Sequence, residues 1–163
     1  MEKDEFDILS THFVAMDEQS EKKSKIVGYF RAILKPDSLI LPIEKHFNLF
    51  FKTPNPSQTI EHSRLIVSKD YRDARHQIML SLVKMAYLYN KNNRIEYCYA
   101  AVETVLFKFL RKLGLPYEKA GEENFYMGAI IIPSILTMSN LEEELPARHP
   151  WLYAYFNDEE IPC

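Results

Sequence analysis

Charge set into apolar stretches is the chemically suggestive feature of this sequence. Arg31 interrupts VGYFRAIL, and Glu61 and Arg64 interrupt TIEHSRLIV. A carboxylate enclosed by apolar neighbours has its pKa pushed up, which suits a general base working near neutral pH. An arginine in such a setting holds a carboxylate bidentately, whether a side chain's or a substrate's. Asp4 and Asp7 are available partners for it. On periodicity alone two readings stand: a structural arginine–carboxylate network, or a reacting site. Asp4 and Asp7, being close to a terminus, could equally be solvated.

Other chemistry finds little support. There is no nucleophile elbow, phosphate-cradling Walker loop, dinucleotide fingerprint or HExxH pair. The five histidines (His12, His46, His62, His76 and His149) lack metal-ligand spacing, so no metal is expected. Cys98 and Cys163 are too few for a disulfide framework or a zinc site. A net charge of -3 argues against a nucleic-acid partner. No apolar run approaches the roughly 20 residues of a membrane span, and the acidic start MEKDE is no signal peptide, so a cytoplasmic protein is expected. With 163 residues, 47% of them hydrophobic and 13% aromatic, the chain suits one domain, 1–163, with a thick core or a long apolar pocket.

The elements that must position these charges centre on residues 59–90. Residues 60–67 alternate, with Glu61, Ser63, Leu65 and Val67 on one side and Ile60, His62, Arg64 and Ile66 on the other, which predicts a strand. A polar turn over 68–75 follows. Ile78, Leu82, Met85, Ala86 and Tyr89 then recur at helical spacing, and residues 90–93 end that helix. The unpaired N–H groups opening such a helix form a natural anion site.

Around this unit, strands are expected over 10–16 and 26–34, joined by a charged connection over 17–25. Gly28 marks a bulge or a close backbone approach. A short helix over 43–51 would turn Ile43, Phe47 and Phe50 or Phe51 inward. A strand over 94–101 leads to a helix over 102–113, closed by Gly114 and Pro116. Residues 117–121 and 124–128 read as one interrupted strand. Pro133 would confine the strand 129–138 to an edge or a bulge. An acidic helix over 141–145 and a terminal helix over 150–157 complete an α/β or α+β sheet covered by helices.

The motif order is where the sequence resembles a family. D-E-F-D (Asp4 to Asp7), V-G-Y-F-R (Val27 to Arg31) and E-H-S-R (Glu61 to Arg64) resemble the acyl-homoserine-lactone synthases. They are equally similar to the N-acyl amino acid synthases and the acyltransferases of PEP-CTERM/exosortase systems. L-P-I-E-K-H-F (Leu41 to Phe47), R-K-L-G-L-P (Arg111 to Pro116) and Y-M-G-A-I-I-I-P (Tyr126 to Pro133) extend the match along nearly the whole chain.

The resemblance implies a GNAT-like three-layer sandwich, with a mixed central sheet flanked by helices. It also implies acyl transfer from a thioester to the amine of an amino acid or related acceptor. No permanently bound cofactor is implied; acyl-ACP or acyl-CoA is the donor co-substrate. Two departures stand out. The family has an N-terminal arm before the D-x-x-D motif, whereas three residues precede Asp4 here, so the arm is expected to be missing. The GNAT phosphate loop carries glycines, whereas residues 72–77, RDARHQ, have none. That favours an acyl carrier protein as donor partner, with Lys69, Arg72, Arg75, Lys108, Arg111 and Lys112 offering basic contacts; a solvated face is the alternative.

Aminolysis of a thioester then assigns roles. Glu61 is the candidate base, acting through a water, and Tyr99 or Tyr97 the proton source for the leaving thiol. Backbone N–H groups near Leu65, Ile66 and Val67 would bind the oxyanion. Ser63, Arg64, Arg31, Arg72 and Arg75 are candidate binding residues, with Asp4 and Asp7 as their electrostatic cluster. Direct transfer needs no acyl-enzyme, so Cys98 is not required as a nucleophile. Residues 107–113 and 130–136 would line an acyl tunnel or simply fill core. Two readings compete: an active N-acyltransferase, or a catalytically incomplete GNAT-like domain that binds a carrier protein or lipid.

Overall fold

A computed structural model describes residues 3–18, 25–35, 38–71 and 73–158. It contains one mixed sheet built from β1 (Ser10–Asp17), β2 (Lys25–Leu34), β3 (Thr59–Val67), β4 (Tyr97–Glu103), β5 (Glu118–Lys119), β6 (Asn124–Tyr126) and β7 (Ala129–Thr137). The strand order is β1-β2-β3-β4-β7-β5, with β6 also pairing β7. Every pair is antiparallel except β3 with β4. The parallel pair is joined by the expected long helix, α2 (Arg75–Asn92).

Helices cover both faces, as a three-layer sandwich requires. On one side α2, α3 (Thr104–Leu113), α4 (Met138–Arg148) and α5 (Pro150–Asn157) bury a core that includes Phe30, Ile60, Leu82, Leu110, Leu136, Leu141 and Phe156. On the other, α1 (Pro42–His46) and the turn at Phe6 pack a smaller core of Ile33, Leu41, Ile43, Phe47, Tyr99 and Ile135. Gly114 caps α3 with φ +110°, the left-handed conformation that favours glycine.

Several boundaries differ from the sequence-based expectation. α2 ends at Asn92, within the stretch 90–93 expected to close it, but Arg94, at φ +55°, still belongs to its cap, and Ile95 N–H bonds Asn90 O at 2.9 Å. What reads as a strand start is therefore a helix cap, and β4 begins only at Tyr97. Val102 and Glu103 pair with Ile132 and Ile131, so they extend β4 instead of opening α3. The helix expected over 43–51 stops at His46. Leu49 then bridges Gly121, and Phe50 and Phe51 are exposed. The acidic helix starts earlier than expected, with Thr137 as its N-cap, and reaches Arg148. Of the charged connection over 17–25, residues 19–24 lie outside the described residues.

Pro133 is a correction with a clear cause. It sits in β7 with neighbours on both sides, paired to Ala101 of β4 on one. Its carbonyl accepts from Ala120 N–H on the other side, so its missing N–H points the same way. There the partner strand is interrupted: β5 ends at Lys119 opposite Ser134, and β6 begins at Asn124 opposite Ile131. Ala120, opposite Pro133, gives its own carbonyl to the Phe50 N–H at 2.8 Å, so no acceptor is left waiting for the N–H that proline lacks.

Gly121 lies in the same break, where a Cβ would come 2.4 Å from the Asn48 carbonyl oxygen. At Gly28 a Cβ would meet the Ile78 side chain at 2.6 Å, a contact that can yield. The register also slips beside Gly28, between Ala15 and Met16. Gly121→Ala is accordingly expected to cost about 2 kcal/mol or more and Gly28→Ala less, because backbone cannot move aside as a side chain can. Urea denaturation of the two variants checks the order.

Candidate functional site

The site begins with an irregularity in β3. Arg31 pairs with Ser63 but Tyr29 pairs with Ile66, so β3 carries one extra residue at Arg64–Leu65. Arg64 takes φ +56°, a left-handed conformation costing a non-glycine residue about 1–3 kcal/mol. A one-residue bulge reverses the side-chain alternation beyond it. Leu65 and Val67 therefore turn to the face of His62, and Ile66 joins the face of Glu61, opposite to simple alternation. Ion pairs hold the strained residue: Arg64 Nη2 to Asp4 Oδ2 at 2.7 Å and Nη1 to Asp7 Oδ1 at 3.4 Å.

The bulge coincides with the parting of two strands. β3 pairs with β4 only from Thr59↔Tyr97 to His62↔Ala100, although β3 stays on β2 as far as Val67. Beyond His62 the parallel ladder is open, and a cavity of about 330 Å³ adjoins the opening. Its walls are mostly apolar and include Leu65, Ala86, Leu106, Leu110, Leu136 and Phe156. From the stretches read as tunnel or core, Leu110, Ile131 and Leu136 line it, whereas Phe107 does not.

Glu61 and His62 leave β3 in opposite directions at this point. Glu61 is 3% exposed and shares its face with Ile33 and Tyr99. Its Oε2 accepts the Ile43 N–H at 2.9 Å. Burial raises its pKa to about 7, against the lowering effects of that hydrogen bond and of Arg31, with Glu44 adding a further push upward. Glu44 is held by Lys35 and accepts the Leu41 N–H at 2.9 Å.

Arg31 and the two aspartates share Glu61's face. Arg31 Nη1 contacts Asp4 at 2.8 Å and Asp7 at 2.7 Å, while its Nε donates to Ser63 Oγ at 3.0 Å. Burial works against the charge on Arg31, but the two aspartates outweigh it and its pKa is raised. The same Arg31 hydrogen bond, against a desolvation penalty, holds Asp7 below the usual carboxylate range. Asp4, Asp7, Arg31, Ser63 and Arg64 thus form one assembly beside Glu61.

The remaining sequence candidates fall elsewhere. Tyr99 is fully buried beside Glu61 and donates its hydroxyl to the Phe51 carbonyl at 3.3 Å; burial raises its pKa. Cys98 is fully buried on the cavity side, and burial raises its thiol pKa strongly. Ile66 is exposed, and Arg75 is exposed in the first turn of α2. Arg72 lies outside the described residues. Among the described residues no cluster of metal-ligating side chains occurs, and no helix is long and apolar enough to cross a membrane.

Two features escaped the sequence reading. The Ile43 N–H that holds Glu61 leaves no trace in residue type. Asn90 does: it follows Leu82 and Ala86 at intervals of four, so a polar side chain stands on the buried stripe of α2. It contacts His62 inside the cavity.

Comparison with known proteins decides the family. Residues 1–82, half of the chain, match the model of the acetyltransferase (GNAT) domain. The chain belongs to the GNAT acetyltransferase family. Its class of chemistry is acyl transfer. The fold of this GNAT protein is similar to that of BjaI, a CoA-dependent acyl-homoserine lactone synthase solved with SAM and isopentyl-CoA. The TM-score is 0.71 at 17% identity, over 98% of this chain and 70% of BjaI. MesI, another CoA-dependent acyl-homoserine lactone synthase, gives 0.63 at 21% identity over 89% and 72% of the two chains. FeeM, an N-acyl amino acid synthase from uncultured soil microbes, gives 0.61 at 14% identity over 83% and 71%. At these identities the likeness is one of fold. No curated protein matches the chain.

The raised pKa of Glu61 makes a stability prediction. Between about pH 4.5 and pH 7 the folded protein keeps a proton on Glu61 that the unfolded chain has lost. Stability therefore falls as pH rises through this window and is level above it. Relative to Glu61→Gln, the wild type is expected to lose about 3 kcal/mol across the window. Denaturation of both proteins from acid to neutral pH measures the difference.

Proposed function

We propose that this GNAT protein transfers an acyl group from a carrier thioester to the amine of an amino acid or related acceptor. The observation that carries the reading is Glu61, a buried carboxylate with a pKa of about 7, at the point where β3 leaves β4 and across the sheet from an apolar cavity. The thioester arm would lie in the open ladder, taking hydrogen bonds from backbone that has no strand partner. The acyl chain would run into the cavity under α2 and α3. The acceptor would bind on the other face, beside Arg31, Ser63, Arg64, Asp4 and Asp7.

In this arrangement Glu61 removes a proton from the acceptor amine, directly or through one water, as nitrogen attacks the thioester carbonyl. Backbone N–H groups near Leu65 to Val67 take up the developing oxyanion. The C–S bond then breaks, and the departing thiolate gains a proton. Tyr99 can supply it only by releasing the Phe51 carbonyl. Arg31 and Arg64, already tied to Asp4 and Asp7, keep the face rigid and offer charge to an acceptor carboxylate.

Surface charge supports an acyl carrier protein as donor. The His76 ring in the first turn of α2 lies tilted against Phe109 of α3, with ring centroids 5.7 Å apart. Arg75 is exposed in that same turn, and Lys108 and Lys112 are exposed on α3. Residues 73–77 contain no glycine to let a CoA pyrophosphate approach the backbone closely.

Incubation with long-chain acyl carrier protein or acyl-CoA and a pool of amino acids, followed by mass spectrometry, tests the proposal. N-acylated product is expected, with a rate rising through about pH 7 as Glu61 ionises. Glu61→Gln is expected to lower the rate by about 10²-fold or more with the fold retained. An unchanged rate removes Glu61 from the chemistry. A stable carrier complex without turnover makes this a binding domain instead.

A further inference from the structure

The apolar cavity holds a polar patch that the chemistry above leaves unused. His62 from β3, Asn90 from α2 and Tyr117, just before β5, are all buried and all line it. Asn90 Nδ2 donates to His62 Nε2 at 3.3 Å and to Cys98 Sγ at 3.2 Å. On the other side of the ring, His62 Nδ1 and Tyr117 Oη are 3.4 Å apart.

A proton count shows that the patch is incomplete. Burial lowers the pKa of His62 to about 4, so the ring is neutral at pH 7 and owns one N–H. With Nε2 accepting from Asn90, that proton sits on Nδ1 and points at Tyr117. The Tyr117 hydroxyl proton then has no acceptor among the described residues, and Asn90 Oδ1 has no donor. Turning over the Asn90 amide and the ring tautomer moves the deficit without removing it. Tyr117 would then donate to Nδ1, but the Asn90 NH₂ would take the unpartnered place. Either way a buried donor is left over, at a cost of about 1–3 kcal/mol. A pocket shaped for plain hydrocarbon gains nothing from such groups.

The place of the patch says which part of a ligand it meets. His62 is the last β3 residue paired to β4, so the patch begins where the ladder opens, and Asn90 continues it inward to Cys98 Sγ at 3.2 Å and Met138 Sδ at 3.9 Å. We propose that the cavity selects acyl chains bearing a hydroxyl group close to the thioester carbonyl, with Tyr117 and Asn90 recognising that oxygen. This rests on reading the cavity as the acyl site. The hydroxyl accepts the leftover donor, and its own proton is free for an acceptor, whereas a methylene does neither.

Binding of two non-hydrolysable acyl-pantetheine thioethers of equal length, one with a β-hydroxyl and one without, tests the inference by calorimetry. The hydroxylated probe is expected to bind about tenfold more tightly or better. Tyr117→Phe, which keeps the ring, is expected to bring the ratio of the two affinities close to one. Asn90→Leu serves as the second variant, with circular dichroism confirming both folds. Equal affinities in the wild type, or a preference that survives both substitutions, overturn the inference. A retained preference in a protein that turns nothing over supports the inference and overturns the catalytic reading. If neither probe binds, both fall.

Discussion

The structure depends on β3 parting from β4 after His62. A parallel pair normally keeps its ladder to the strand ends, because each buried N–H and C=O left alone costs free energy. Here the ladder stops after four residue pairs, while both strands continue. The ladder ends at the bulge, where Arg64 takes a left-handed conformation while β3 stays paired to β2. Two aspartates from the N-terminal segment hold that residue by its guanidinium. The opening is thus fixed by ion pairs on one face of the sheet and filled by apolar space on the other.

This division gives the two faces different chemistry. Towards α1 lie Arg31, Arg64, Asp4, Asp7, Ser63 and Glu61, a group whose charges nearly balance. Arg31 is almost wholly buried, and removing either aspartate would leave charge without full compensation in a setting where that is expensive. Towards α2 lies mostly hydrocarbon, into which His62, Asn90 and Tyr117 bring a polar patch. Because Glu61 and His62 are adjacent in β3, a substrate that reaches both must pass through the sheet, and the open ladder is where it can. The raised pKa of Glu61 follows from the same geometry: the strand carries its carboxylate into the small core, where a single backbone N–H meets it.

Much of the fold was legible because the chain marks it locally. The strand carrying Glu61, the helix that buries Leu82 and Ala86 and the glycine after Leu113 each express a single rule and appear in the structure, although Met85, read into the helical stripe, is 53% exposed. Pro133 misled because proline's restriction in a sheet is directional. It removes one N–H, and the Ala120 carbonyl that this N–H would meet takes the Phe50 N–H instead, without making β7 an edge. The sidedness of Leu65 and Ile66 was illegible for a related reason. A bulge formed at an arginine carries no glycine to announce it, and one extra residue reverses everything after it. The arginine–carboxylate assembly was visible as residue types, and its partners proved to be those suggested by charge alone. The polar patch in the cavity was not visible, since it joins three elements far apart in sequence.

The account is tested most directly by a structure of the protein bound to a non-hydrolysable acyl-pantetheine thioether. The pantetheine arm is predicted between residues 63–67 and 101–103, with its chain beside Leu106 and Leu110 and its reacting carbon turned towards Glu61. A ligand seated elsewhere, with β3 and β4 still parted and empty between them, would contradict it.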